Sequence, residues 1–143
     1  MDMDMQEAHG ACHCGAVRFR VRLSKGLRTA RRCNCSFCRM RGAVAVSAPA
    51  DGIDILQGAD ALSLYAFNTH AAKHYFCSKC GIYTHHLRRS NGAEYGVNVA
   101  CLKGVSPFDF EELKVLDGVH HPSDAKDGKV QVAGILKFIP NAE

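Results

Sequence analysis

The 143-residue chain reads as a mainly β protein, mostly antiparallel, with few short helices. Three observations carry that reading. Val17, Phe19 and Val21 alternate with Arg18, Arg20 and Arg22, the period of two that a half-buried strand requires. Short extended segments recur along the rest of the chain, divided by turn-forming clusters of Gly, Asn, Asp and Pro. Helix signals, finally, are scarce.

In order along the chain, residues 1–9 carry no periodicity and are expected to be disordered, leaving residues 10–143 as a single domain. The alternating segment 17–22 is the first strand. Segment 43–47 precedes the turn signal Pro49-Ala50-Asp51-Gly52, and 53–56 follows it. Segments 62–67 and 73–76 come next, and 82–87 and 94–99 flank Ser90-Asn91-Gly92, where Asn91-Gly92 predicts a hairpin turn with positive φ at both positions. Segment 114–116 is short, and 130–138 follows Lys126-Asp127-Gly128. Two helical pieces are predicted: 36–40, after Cys35, and 107–113, with Ser106 as N-cap and Pro107 at the first helical position.

Composition narrows the class. Hydrophobic residues make up 47% and charged residues 22%, ordinary for a globular protein large enough to bury its own core. The longest mainly apolar stretch, residues 42–50, is far short of the roughly 20 residues that cross a bilayer. The acidic start Met1-Asp2-Met3-Asp4-Met5-Gln6-Glu7 lacks the features of a secretory signal, so a cytoplasmic location is expected. In that reducing compartment eight cysteines point to metal ligation or reactive thiols rather than disulfides. The net charge of +4 comes partly from Arg31, Arg32, Arg39 and Arg41, which cluster around the middle cysteines.

Seven of the eight cysteines fall into three tight groups: Cys12-His13-Cys14, Cys33-Asn34-Cys35-Ser36-Phe37-Cys38 and Cys77-Ser78-Lys79-Cys80. Such spacing lets several sulfurs converge about 2.3 Å from one zinc ion. Seven ligands divide naturally into a closed site of four and an open site of three, whose free position is left to water or a substrate thiol. Cys77 to Cys80 with Gly81 is a knuckle that supplies half a tetrahedral site. Cys12 and Cys14 in extended backbone point the same way and can supply the other half. Spacing alone also allows the swap in which Cys77 and Cys80 join Cys33 and Cys35. It equally allows the middle site to be completed by His70, His74 or Asp60.

The stretches Gly10-Ala11-Cys12-His13-Cys14-Gly15-Ala16-Val17-Arg18-Phe19, Cys33-Asn34-Cys35-Ser36-Phe37-Cys38-Arg39 and Phe76-Cys77-Ser78-Lys79-Cys80-Gly81 resemble the glutathione-dependent formaldehyde-activating enzyme family, which includes the centromere protein V domain. The likeness spans about residues 10–120. Asn34 stands where many members have histidine, and the chain has no tryptophan. The resemblance implies a zinc-binding β-tent fold of small antiparallel sheets. It also implies two zinc ions per chain, a structural one on Cys12, Cys14, Cys77 and Cys80 and a catalytic one on Cys33, Cys35 and Cys38. The implied activity is that of a carbon–sulfur lyase, joining glutathione and formaldehyde to S-hydroxymethylglutathione or reversing that step.

On this reading the partners are glutathione or another small thiol and a small aldehyde, and Arg39 and Arg41 are candidates to grip the thiol's carboxylates through their planar forks. The alternative is a non-catalytic zinc module for a protein or nucleic acid. Nucleic acid is disfavoured because the chain has no basic arm and its isoelectric point, near 8.7, lies below about 9. A thiol carrier without turnover is a third possibility. Cys101 reads as a small buried hydrophobe, and His85-His86 and His120-His121 as surface or hydrogen-bonded polar structure. Tyr65, Phe67, Tyr75 and Phe76 read chiefly as sheet core, with pocket wall as the alternative.

Overall fold

The computed structural model describes residues 2–89, 92–120 and 131–142. The described residues form eleven strands in two sheets and one single-turn α-helix. The smaller sheet joins β1 (Glu7–Ala11), β2 (Arg18–Arg22) and β5 (Ile53–Gln57) in the order β1-β2-β5, all antiparallel. The larger contains β3 (Arg31–Cys33), β4 (Ala45–Pro49), β6 (Leu62–Tyr65), β7 (Lys73–Cys77), β8 (Tyr83–Leu87), β9 (Glu94–Asn98), β10 (Glu112–Leu116) and β11 (Val132–Lys137). Its order is β11-β10-β3-β4-β9-β8-β7-β6, antiparallel except where β3 runs parallel to β10.

In β2 the alternation works as the sequence predicts: Phe19 and Val21 are buried, and Arg18, Arg20 and Arg22 face solvent. The main core sets these two side chains, with Leu23 and Leu27, against Val46 and Val97 of the larger sheet and Val99 in the turn after β9. A second, smaller core gathers Cys12, Val17, Ala61 and Cys77.

Several elements differ from expectation. Residues 7–9 of the segment expected to be disordered belong to β1, paired with β2 in register Ala8↔Val21 and Gly10↔Phe19. The inward residues there are Ala8 and Gly10, too small to give an apolar signal, and smallness is what the site demands. A Cβ on Gly10 would lie 2.7 Å from a carbon of the Phe19 ring. The segment before β1 is tied down as well, since Leu27 N–H donates to the Met3 carbonyl and Arg28 pairs with Asp4.

Strand β3 is equally invisible as Arg-Arg-Cys. Its place is set by neighbours, with Leu116 opposite Cys33 and Arg31 opposite Ala45. The 107–113 helix shrinks to one 3-10 turn, Pro107–Asp109, closed by a capping box between Ser106 and Asp109. Phe110 and Leu113 then turn into the core, and a period of two takes over in β10. The helix expected at 36–40 is the turn α1 (Cys38–Arg41), ended by Gly42 at φ 71°. The turn between β4 and β5 forms as read, Gly52 N–H donating to the Pro49 carbonyl. Asn91 of the expected hairpin turn, Lys126-Asp127-Gly128 and Val130 lie outside the described residues. Among the described residues no helix is long and apolar enough to cross a membrane.

Candidate metal centre

The fold gathers seven of the cysteines into two groups. The first unites Cys12 and Cys14, in the turn between β1 and β2, with Cys77 and Cys80 at the end of β7. Both turns are shaped by glycines in the left-handed region: Gly15 at φ 77° donates to the Cys12 carbonyl and Gly81 at φ 78° to the Cys77 carbonyl. The four sulfurs lie within 4.8 Å of one another, with Cys12 to Cys14 at 3.7 Å and Cys14 to Cys77 at 3.8 Å. A regular tetrahedron with metal–sulfur bonds of about 2.3 Å has edges of about 3.8 Å, so this donor set fits a four-coordinate ion. Backbone N–H groups of Val17 and Lys79 point at Cys12 and Cys77 Sγ, at 3.3 and 3.4 Å. Two further backbone N–H groups, at Cys14 and Ile82, draw the Cys80 thiol down to about 6.

The second group is Cys33 at the end of β3, Cys35 in the following turn and Cys38 opening α1, again with all sulfurs within 4.8 Å. Cys35 N–H points at Cys33 Sγ (3.5 Å) and Cys38 N–H at Cys35 Sγ (3.2 Å). Thiol hydrogen bonds from Cys33 and Cys38 pull Cys35 down to about 2, while sharing with Cys33 and then Cys35 pushes Cys38 far up. Three sulfurs this close resist ionising together unless a cation neutralises them, so the cluster could hold a metal ion. Among the described residues no fourth Cys, His, Asp or Glu joins the three. His70 is exposed at φ 59°, and Asp60 belongs to the short turn beside the four-sulfur group.

His74 does face this region, but its Nδ1 accepts from Arg41 Nη1 at 2.9 Å, so its proton sits on Nε2. Burial first and Arg41 second hold this imidazole near 4, hence neutral. Arg41 also points Nη2 at Cys38 Sγ (3.6 Å) and lies between the Phe37 and Tyr83 rings, its guanidinium carbon 4.7 and 3.7 Å from their centroids.

Above the three sulfurs opens a cavity of about 280 Å³, walled by Phe67, Thr69, Leu116, Gly118 and Val119 and rimmed by Arg31, Arg32, Arg41, Arg88 and Arg89. Arg41, anticipated from sequence, is there; Arg39 is exposed and does not line it. Arg88 and Arg89 were not anticipated because their place at the end of β8, some fifty residues from the thiols in sequence, follows only from sheet order. Arg88 pairs with Glu94, which also accepts from Ser47 Oγ; that hydroxyl in turn accepts from buried Arg31.

The remaining candidates take quieter roles. Cys101 is buried and donates to the Tyr83 carbonyl, its thiol pushed up to about 12 by burial. His13 is exposed. His85 and His86 are hydrogen-bonded, to Thr84 Oγ1 and Tyr83 Oη. His120 is exposed and pairs with Asp117, while His121 lies outside the described residues. Phe67 is pocket wall, whereas Tyr65, Tyr75 and Phe76 line a neighbouring, largely apolar groove.

Comparison with known proteins gives a consistent set of likenesses. A family model described as glutathione-dependent formaldehyde-activating enzyme matches residues 7–113. A Halomonas elongata protein that carries the same enzyme name provisionally is 39% identical over 80 residues, half of each chain. The present chain thus spans about half the length of this curated relative. The crystal structure of a Rhodobacter sphaeroides protein is 56% identical with a TM-score of 0.74, covering 75% of this chain and 98% of that one.

Proposed function

The chain belongs to the glutathione-dependent formaldehyde-activating enzyme family, and from that premise we propose that it is a zinc-dependent enzyme of carbon–sulfur lyase type acting on adducts of glutathione and formaldehyde. Cys12, Cys14, Cys77 and Cys80 would hold a structural zinc and Cys33, Cys35 and Cys38 a second one. The observation that carries this reading is the three-sulfur cluster without a fourth protein ligand among the described residues, at the floor of an arginine-rimmed cavity. Zinc held by Cys33, Cys35 and Cys38 would favour the thiolate form of a substrate thiol at neutral pH.

The chain's own residues do the rest. The rim guanidiniums create a positive field that draws in an anionic thiol, and those facing the cavity take its carboxylates. Arg41 is fixed by its two ring contacts and His74, so it loses little freedom when it grips. Phe67 and the turn after β10 restrict water around the sulfur. In the forward direction the glutathione sulfur bonds to the aldehyde carbon, the C=O π pair moves to oxygen, and that oxygen takes a proton from water. In reverse the hydroxyl proton leaves, C=O re-forms and the C–S bond breaks. At about 280 Å³ the cavity is at the small end of ligand sites, which suits a thiol arm and a one-carbon aldehyde better than a bulky aldehyde.

Exchange NMR between free formaldehyde and S-hydroxymethylglutathione tests this. The protein should raise the exchange rate above the spontaneous one, and Cys35→Ser should return it to the spontaneous value. Equal rates with and without the wild-type protein would contradict the enzyme reading.

A further inference from the structure

The residue between the first two thiols of the middle cluster is tied to a wall of the pocket. Asn34 Oδ1 accepts from the N–H of Gly118 at 2.7 Å and of Val119 at 3.2 Å, and the Asn34 N–H donates to the Leu116 carbonyl at 3.2 Å. Asp117 folds the same turn from within, its Oδ1 accepting from Val119 and His120 N–H at 3.0 Å each. The turn is pressed onto the thiols: a Cβ on Gly118 would lie 2.6 Å from Cys33 Sγ and 2.6 Å from Cys35 Cβ. Only glycine allows that approach. Leu116, Gly118 and Val119 all line the cavity over the three sulfurs. The turn also falls after residue 113, where the family match ends.

We propose that Asn34 is a positioning residue: its side chain holds residues 116–119 as a wall of the Cys33–Cys35–Cys38 pocket and so narrows the space offered to the incoming thiol. The proposal rests on the thiol-binding reading above for the identity of the ligand, but not for the wall itself. A side chain between two ligand cysteines is carried wherever the cluster is carried, so bonding it to the turn keeps wall and sulfurs in one rigid unit. An amide oxygen has two lone pairs and satisfies two adjacent N–H groups without bringing a negative charge beside the thiolates. Alanine removes this acceptor; aspartate restores it.

The test uses the full chain loaded with cobalt at both sites, as wild type, Asn34→Ala and Asn34→Asp. Amide hydrogen exchange at Gly118 and Val119 is read first, because it needs no thiol ligand. In Asn34→Ala the Gly118 amide should quicken about tenfold, as expected for loss of a part-buried hydrogen bond, and Val119, which keeps Asp117 Oδ1 as acceptor, should change less. The sulfur-to-cobalt band of the three-sulfur site should shift while that of the four-sulfur site stays, and Asn34→Asp should recover most of the protection. Glutathione titration, followed on the same band, should show weaker binding in Asn34→Ala than in wild type; Asn34→Asp, which adds a negative charge beside the thiolates, is judged by exchange alone. Unchanged exchange at Gly118 in Asn34→Ala, or exchange in Asn34→Asp as fast as in Asn34→Ala, overturns the proposal. So does altered exchange with unaltered glutathione affinity. If glutathione leaves the wild-type band unmoved, the thiol-binding reading fails, and exchange at Gly118 and Val119 still decides whether Asn34 holds the wall.

Discussion

Arg39 and Arg41 show what a sequence can say about a single residue and where it stops. Both follow the middle cysteines, and both carry the fork that suits a carboxylate. Residues two apart on a helical turn face different ways, so one placement excludes the other, and only the packing of α1 on the larger sheet decides which. Arg41 is the one turned in, and its Nε is buried without a hydrogen-bond partner. Such an orphan costs about 1–3 kcal/mol. It is offset by the two ring contacts and the bond to His74. Arg41→Lys keeps the charge but loses the plane that lies against Tyr83, so glutathione affinity should fall about tenfold, the worth of one good charge-assisted hydrogen bond; Arg39→Lys should leave it unchanged. Calorimetric titration of the metal-loaded variants checks both. Cys101 is the opposite case, a thiol whose bland reading matches its buried surroundings. Cys101→Ala should cost about 1 kcal/mol in denaturant unfolding and leave metal content intact.

At the scale of elements, strands with a mixed pattern were legible and strands set by their neighbours were not. The alternation in β2 announces itself, whereas β1 hides behind Ala8 and Gly10, and β3 is three polar residues whose pairing comes wholly from β10 and β4. In β8 the sequence shows two adjacent histidines but not that one faces the cavity and the other is buried between the sheets. His85 sits against Tyr75 at 4.7 Å between ring centroids, and burial lowers it from 6.5 to about 4. The unfolded chain therefore binds a proton that the folded one refuses between these values. Its stabilising contribution is complete above pH 6.5 and is lost as pH falls toward 4, about 3 kcal/mol if the whole window is crossed. His85→Phe fits an aromatic surrounding of Phe19, Tyr75 and Tyr95 and removes the titration. Urea unfolding from pH 7 to 4 should show a shallower loss of stability in this variant than in wild type; parallel curves would contradict the assignment.

For the whole molecule, counting cysteines separated a closed site from an open one, but spacing left the pairing free, and only the family likeness chose Cys12 and Cys14 for Cys77 and Cys80. The reason is topological. The four-sulfur group takes one pair from the β1–β2 turn of the smaller sheet and the other from β7 of the larger, so its partners meet only after both sheets form. A metal there joins the two layers, and structural zinc sites contribute about 10–16 kcal/mol, comparable to the entire stability of a domain this size. Cys80→Ser should therefore unfold most of the domain by circular dichroism, whereas Cys35→Ser should lose one metal and keep the fold. Equal unfolding by both would remove the division into a structural and a reactive site. The most direct test of that division is metal-edge absorption spectroscopy on the zinc-loaded protein, which counts sulfur ligands per ion. Seven cysteine sulfurs over two ions should average about 3.5, rising to about 4 when glutathione is added. An average that glutathione does not change, with a nitrogen or oxygen ligand retained at the middle site, would contradict the account.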